Sequence, residues 1–397
     1  MELPVTGVWD LGFVRVGVVF RCCIGLFRVS LGWGYWGVLM SWFKVYGGGV
    51  FGVGGSSLFL VFIASTATST VPGISVAGST PEFTLYTPAL DVEYLLVGRP
   101  LSSNRIPVTP SGVPTPALLS RVALNLLGLP ALIVDAGSYV KPMVPYVSLP
   151  SATTGGVISG GRALPEGRSR RLFEESRLLG LTLSRGLNTV IIGESMPGGT
   201  TTAMALMEAL GYNARGRVSS ASPVNPRELK VRVVEEGFRR AGLKPPVDDV
   251  FKANDAVGDP LHISIAGFTA GALEAGSRVI LAGGTQMCSV LAVLKKLNVD
   301  VGGRVMVATT RWIAEDNQSD IMGLLGDIAP EVGLVAAMLS LRGSRYGGLR
   351  AYEEGYVKEG VGAGGLLTLL ALRGYPEGLV LESIEAEYER LLSLELS

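Results

Sequence analysis

NTVIIGESMPGGTTTAMALMEALGY, residues 188–212, begins as a buried strand and ends as an apolar helix. The run Asn188–Ile192 is apolar and short, and the chain then turns through Gly198 and Gly199 into residues rich in Ala, Met and Leu. This order sets the carboxylate of Glu194 at the carboxyl end of a strand. It sets bare backbone N–H groups and the hydroxyls of Thr200 and Thr201 at the start of a helix. Open α/β sheets bind ligands at that place, and helix N-termini attract phosphate.

The same strand-to-turn-to-helix form recurs outward from this stretch. Val279–Ala282 reads as a strand, Gly283-Gly-Thr285 as its turn, and 286–297 as the helix beyond. Lys358-Glu-Gly-Val-Gly-Ala-Gly-Gly365 is a third glycine-rich turn into an apolar helix. Further strands are expected at Leu58–Ala64, Ala131–Asp135 and Arg304–Ala308, with helices over 115–127, 171–185, 226–241, 264–275 and 380–394; 332–339 fits either type. Residues 65–113, rich in Ser, Thr, Pro and Gly, read as loops with brief elements. Strands alternating with helices predict an α/β fold: three α/β/α layers around a mainly parallel, Rossmann-like sheet, with a smaller helical subdomain.

No turn is a P-loop, because no Lys follows its second glycine, and none has the strand–GxGxxG–helix setting of a dinucleotide fold. The bare GxG of Gly360-Val-Gly362 is weak alone. One such turn is best explained by helix–sheet packing. Three of them, two with a glutamate ahead of the glycines, favour a mononucleotide or sugar-phosphate site, with Gly283, Gly284 and Thr285 as further substrate contacts. Glu194 and Glu359 sit where glycines exclude neighbouring side chains. A carboxylate in a partly dry pocket has a raised pKa and serves as a general base near neutrality.

Composition narrows the function from the other side. Thirty-four basic residues balance thirty-four acidic ones, so there is no electrostatic footprint for nucleic acid or for an anionic membrane. Three cysteines form no disulfide framework, no Cys/His spacing marks zinc, and His262 is the only histidine. Residues 1–57 stand apart: they lack Ala, Asn, Gln and His and hold four of the five tryptophans. They read first as an over-extended start, with Met40 or later as the true one, then as a membrane anchor, interrupted by Arg15, Arg21 and Arg28, and last as a secretory signal. The domain expectation is therefore an atypical extension, 1–57, and a single catalytic domain, 58–397.

The segments GESMPGGTTTA (193–203) and KEGVGAGG (358–365) resemble GEMGIGNTT and LGEGSGA of the nicotinate-nucleotide:dimethylbenzimidazole phosphoribosyltransferase family, and ALLSRVALNLLGLPALIVDAG (117–137) is similar to its helix-then-strand region. TSTVPGISVAGSTPEFTLYTPALDVEYL (68–95) and LAGGTQM (281–287) resemble the archaeal, long-uncharacterised branch of that family. The resemblance implies phosphoribosyl transfer from nicotinate mononucleotide to a benzimidazole-type or purine base, giving the α-ribazole phosphate precursor of the cobamide lower ligand. It implies Glu359 as catalytic base and Glu194 as the second active-site glutamate. Phosphate and ribose contacts would fall to Gly198, Gly199, Thr200, Thr201, Lys230, Gly360 and Gly362. It also implies a cytoplasmic homodimer with no cofactor or metal. Bacterial members carry a DGF turn where this chain has Ala282-Gly-Gly284, and their base-cradling N-terminal segment has no clear counterpart here. A nucleotide-binding or regulatory protein of the same fold, without the chemistry, is the second reading. His262 reads as a structural loop contact, Cys288 as buried, Trp312 as a base-stacking or packing residue, and Arg168–Arg171 as a solvated face.

Overall fold

The computed structural model describes the backbone of residues 6–11, 14–19, 26–31 and 35–40, and all of residues 42–394 except 76, 78, 79 and 110. The first four strands, β1 (Thr6–Leu11), β2 (Val14–Val19), β3 (Leu26–Leu31) and β4 (Tyr35–Met40), pair as two antiparallel hairpins. The side chains of residues 1–41, on which the extension and anchor readings rest, lie outside the described residues.

The remaining strands are β5 (Phe43–Tyr46), β6 (Ser57–Ala64), β7 (Ala131–Gly137), β8 (Val147–Ser148), β9 (Thr189–Ser195), β10 (Arg278–Ala282), β11 (Val305–Thr310) and β12 (Gly333–Ala337). They form one eight-stranded sheet in the order β5-β12-β11-β10-β9-β6-β7-β8. All neighbours are parallel except β5, which runs antiparallel along β12 at the edge. The sheet thus begins before residue 58, and Trp42, just ahead of β5, donates its indole N–H to the carbonyl of Tyr375 at 2.7 Å. From β6 the chain moves outward to β7 and β8, then returns to the other side of β6 and continues from β9 to β12. The order reverses between β6 and β9, and in such sheets a crevice opens at the carboxyl ends of the strands flanking the reversal.

Both sheet faces are covered. In β6, Leu60, Phe62 and Ala64 enter one core, and Phe59, Val61 and Ile63 the other, all fully buried. Alternate residues of a strand face opposite sides, so a parallel strand covered on both reads as an unbroken apolar run. The helices are α1 (Thr87–Val97), α2 (Ala117–Leu127), α3 (Arg168–Leu183), α4 (Gly199–Ala209), α5 (Arg227–Ala241), α6 (Val250–Val257), α7 (Pro260–Glu274), α8 (Met287–Lys296), α9 (Arg311–Ala314), α10 (Ile321–Ile328), α11 (Gly347–Arg350), α12 (Ala363–Leu372) and α13 (Glu377–Ser393). Helices α3 to α8 and α10 build the first core, while α1, α2, α12 and α13 form the smaller helical layer over the second. Helix α1 lies in the stretch expected to be mostly loop. Pro88 to Leu95 are all buried, Asp91 and Glu93 included, so no polar face marked it as amphipathic. Residues 333–337 resolve as a strand, continuing the parallel order. Among the described residues, no helix is long and apolar enough to cross a membrane.

Candidate active site

A cavity of about 630 Å3 opens beside the reversal point, at the carboxyl end of β9. Two chain turns meet in its floor. Gly193 in β9 and Gly362 at the start of α12 lie back to back: a methyl on Gly193 would fall 2.7 Å from the amide nitrogen of Gly362, and one on Gly362 would fall 2.8 Å from the ring of Phe59. Only hydrogen at both positions permits this approach. It lets the Val361 amide donate to the Glu194 carbonyl at 2.8 Å. Val357 and Val361 bracket Glu359 with φ of 58° and 53°. Left-handed conformation is costly for β-branched residues and persists only where surroundings enforce it. Here the Val357 amide is tied to the Ala221 carbonyl at 2.9 Å, and Val361 to Glu194.

Glu359 therefore has a fixed place. Its Oε1 accepts from the amides of Gly364 at 3.0 Å and Gly360 at 3.1 Å, and its Oε2 from the amide of Thr310 at 3.0 Å and the hydroxyl of Thr309 at 3.3 Å. The side chain caps α12 from outside the helix while its residue keeps part of its surface on the pocket. Burial pushes the carboxyl up to about 7, against the pull of the three amides, and the Glu194 charge adds to the rise. Glu194 Oε1 accepts from the Gln286 amide at 2.7 Å. Burial raises this carboxyl too, while the field of His262 and the Gln286 bond oppose the rise, and Asp259 and Asp91 reinforce it. A third acid, Asp91 of α1, lines the same pocket and accepts from the hydroxyls of Thr115 and Ser195, each at 2.7 Å. Burial holds it up to about 6.

A helix start and two lysines complete the site. Helix α4 follows its N-cap Gly198, with φ of 82° and no side-chain cap; the amides of Gly199 and Thr201 donate to the carbonyls of Met196 and Gly198 at 3.1 and 3.0 Å, which leaves the Thr200 amide for an anion. Lys230, 1% exposed, donates to the Ser219 carbonyl at 2.6 Å and the Thr200 hydroxyl at 3.1 Å. Burial, with the nearby charge of Lys358, brings its ammonium down to about 7. Lys358 lines the pocket and pairs with Asp316 at 2.9 Å, both nearly closed to solvent.

Of the residues expected from the sequence, Glu194, Gly198, Gly199, Thr200, Glu359 and Gly360 line the cavity. Lys230 stands behind Thr200, and Gly362 is a packing position against Phe59 and Gly193. Thr201 is fully buried off the wall. The 282–285 turn serves the site indirectly. Thr285 Oγ1 accepts from the Ser219 amide at 2.9 Å, and Gly283 and Gly284 leave room for Met287 and Gln286. Trp312 packs on Tyr352, ring centroids 5.0 Å apart, away from the wall. Cys288 is buried, as expected. His262 is not a loop residue but lies in the first turn of α7, bonded to Asp259. Sequence reasoning missed Asp91, Gln286, Lys358 and the Asp259–His262 pair. Asp91, a charge inside the apolar run PALDVEYLLV, and Lys358, directly before Glu359, carried a signal. Among the described residues, no group of three or more His, Cys, Asp or Glu could hold a metal ion.

Carboxylates, a glycine-rich helix start and a buried lysine meet in a crevice at the reversal of a parallel sheet, the place where open α/β proteins bind ligands. A phosphoribosyltransferase family model matches residues 124–323. The UPF0284 protein of Aeropyrum pernix is 53% identical over 344 residues, 86% of this chain and 94% of that one. The UPF0284 protein of Pyrobaculum calidifontis is 48% identical over 335 residues, 84% and 96% of the two chains. The chain belongs to the phosphoribosyltransferase family, among the UPF0284 proteins. A crystal structure of nicotinate-nucleotide–dimethylbenzimidazole phosphoribosyltransferase from Thermus thermophilus shares the fold, with a TM-score of 0.55 at 16% identity over 85% of this chain and 83% of that one.

Proposed function

We propose that the protein transfers the phosphoribosyl group of nicotinate mononucleotide to a ring nitrogen of a benzimidazole-type or purine base, releasing nicotinate and forming an α-ribazole-type phosphate. One observation carries this reading: Glu359 and Glu194 share a pocket with the glycine-rich start of α4, whose Thr200 is backed by Lys230. Nicotinate on C1′ is already a pyridinium. The C1′–N bond breaks with its electron pair going to the ring, so no proton donor is needed. The sugar then resembles an oxocarbenium ion, as in glycoside cleavage. The acceptor nitrogen bonds to C1′ as its partner N–H gives its proton to Glu359, whose pKa of about 7 suits a base at neutral pH. Glu194 offers negative charge to the cationic sugar. Gly198, Gly199 and Thr200 take the phosphate, with Thr201 supporting the helix start, Lys230 supplying a counter-charge, and Gly360 and Gly362 shaping the ribose side. In this reading Gly283, Gly284 and Thr285 support the wall, and the working unit is a cytoplasmic homodimer.

The test is to incubate the full chain with nicotinate mononucleotide and a panel of bases and to follow released nicotinate. Turnover that E359Q abolishes while the fold is retained is the expected result. Inactivity across benzimidazoles and adenine overturns it. Tight nucleotide binding that E359Q leaves unaltered, with no turnover, would instead identify a binding protein of the same fold.

A further inference from the structure

Lys230 is not among the residues that line the cavity, and its Nζ is already engaged by the Ser219 carbonyl at 2.6 Å and the Thr200 hydroxyl at 3.1 Å. Lys358 is placed differently. It lines the cavity while only 3% exposed, and its Nζ has one partner, Oδ2 of Asp316 at 2.9 Å. An ammonium carries three hydrogens, so two of them have no acceptor among the described residues. Asp316 is better served: Oδ1 accepts from the Gln318 amide at 3.1 Å, and Oδ2 also accepts from the Ser319 hydroxyl at 2.9 Å. A buried ion pair adds little stability, because desolvation offsets the attraction, and one left half-satisfied in a pocket wall calls for another role. The backbone is held to put Lys358 there. Val357 keeps its left-handed φ of 58° with its amide on the Ala221 carbonyl at 2.9 Å, and the Lys358 carbonyl accepts from the Thr310 hydroxyl at 2.6 Å. The tie to Ala221 sets Lys358 beside a segment, Ser219 to Ala221, that lines the same cavity. The other cation among the described lining residues, Arg105, is exposed and stacks over the Phe83 ring at 5.3 Å, where water and salt screen its charge.

We infer that Lys358, oriented by Asp316, is the side chain that grips the phosphate of the nucleotide, together with the Thr200 amide, while Lys230 braces Thr200 and Ser219 from behind. The inference deepens the function proposed above and rests on its phosphorylated substrate. Nζ gives its two unpartnered hydrogens to phosphate oxygens, and Asp316 keeps the third. Charge-assisted bonds of this kind are strong where water is excluded. Lys358 directly precedes Glu359 in a turn pinned at both ends, by Val357 on Ala221 and by Val361 on Glu194. One rigid turn thus carries the phosphate contact and the proposed base. A nucleotide held by its phosphate is thereby set in register with the carboxylate, which is how binding energy remote from the reacting atoms serves the reaction.

Nicotinate mononucleotide and nicotinate riboside differ only in the phosphate, so calorimetric titration of each into the full-length protein, with no acceptor base present, isolates the contact. The wild type should prefer the mononucleotide. K358M should lose about ten- to a hundredfold in affinity for it and hold the riboside as before, and K358R should recover much of the loss. Because K358M strands a buried carboxylate, the double variant K358M/D316N, which leaves no charge of the pair alone, is the second test and should show the same selective loss. D316N alone should weaken mononucleotide binding in the same direction, since Lys358 then lacks its guide. Equal affinity of the wild type for both ligands, undiminished mononucleotide binding in folded K358M or in the double variant, or an equal loss of both ligands overturns the inference. None of these readouts needs turnover. A protein that binds the mononucleotide through Lys358 and never releases nicotinate would sink the transferase reading and leave this contact in place.

Discussion

The amide of Val361 donates to the carbonyl oxygen of Glu194 at 2.8 Å, and this main-chain bond docks the late turn bearing Glu359 against the strand bearing Glu194. The Glu194 charge then raises the Glu359 pKa through a shared low-dielectric space, with burial the larger cause. The arrangement depends on backbones that touch, because the adjoining Gly193 and Gly362 leave no room for a side chain.

The G193A variant tests that contact. Its methyl would stand 2.7 Å from the amide nitrogen of Gly362, so the turn must retreat or the strand must bend. Overpacking of this kind costs roughly 1–3 kcal/mol. Denaturant unfolding should register that loss, and turnover should fall more than nucleotide binding, since the shift separates Glu359 from Glu194. Wild-type turnover in a destabilised G193A would refute the docking account.

In the proposed reaction, Glu359 sets the pH at which a base is present. With its carboxyl at about 7, turnover should decline as pH falls through that value and the group takes up a proton. E359Q should lose ~10²–10⁴-fold in rate and lose this limb from its residual profile. A rate profile of both proteins over pH 5 to 9 checks it. An unchanged limb in E359Q assigns the titration elsewhere.

Asp91 supplies a stability prediction. Its carboxyl is raised from 3.8 to about 6 by burial, so the folded state holds its proton more tightly than the unfolded chain does. The stabilisation this provides is complete below about pH 4 and is lost as pH rises through about 6. Both partners of Asp91 are hydroxyls, which can reverse donor and acceptor roles to suit an amide. D91N should therefore match the wild type near pH 4 and exceed it above pH 6, by on the order of 2–3 kcal/mol at about 1.4 kcal/mol per pH unit. Thermal unfolding across this range is the measurement, and a pH-independent difference would count against it.

Lys230 predicts proton uptake on binding. Burial leaves its ammonium at about 7, so at pH 8 the free protein carries it mostly neutral. A phosphate at the start of α4 restores the charged form, and binding should take up close to one proton. Calorimetry with nicotinate mononucleotide at pH 8, in two buffers of different ionisation enthalpy, measures that proton directly. K230M should bind without it.

What the sequence disclosed was local. The unbroken apolar run of β9, the glycines after it and the helix beyond were legible because each lies within one segment, as were Glu194 and Glu359 ahead of their turns. The contacts made across the fold were not. Nothing in PALDVEYLLV told that Asp91 would face Ser195, because a helix buried all round lacks the polar stripe that sets its orientation. Nothing near His262 told that its ring would lie under Gly199, since that depends on how α7 packs behind α4. The segment Phe43–Tyr46 has a composition unlike the rest, yet it closes the sheet edge on β12, where pairing with a neighbour outweighs amino-acid usage.

The hydrogen bond from Val361 has a further meaning in time. Synthesis runs through Asp91 and Glu194 well before Glu359, so two of the three pocket acids exist while the third is still unmade. Any chain that stops short of residue 361 lacks the amide that docks the late turn, and with it the seat of that third acid.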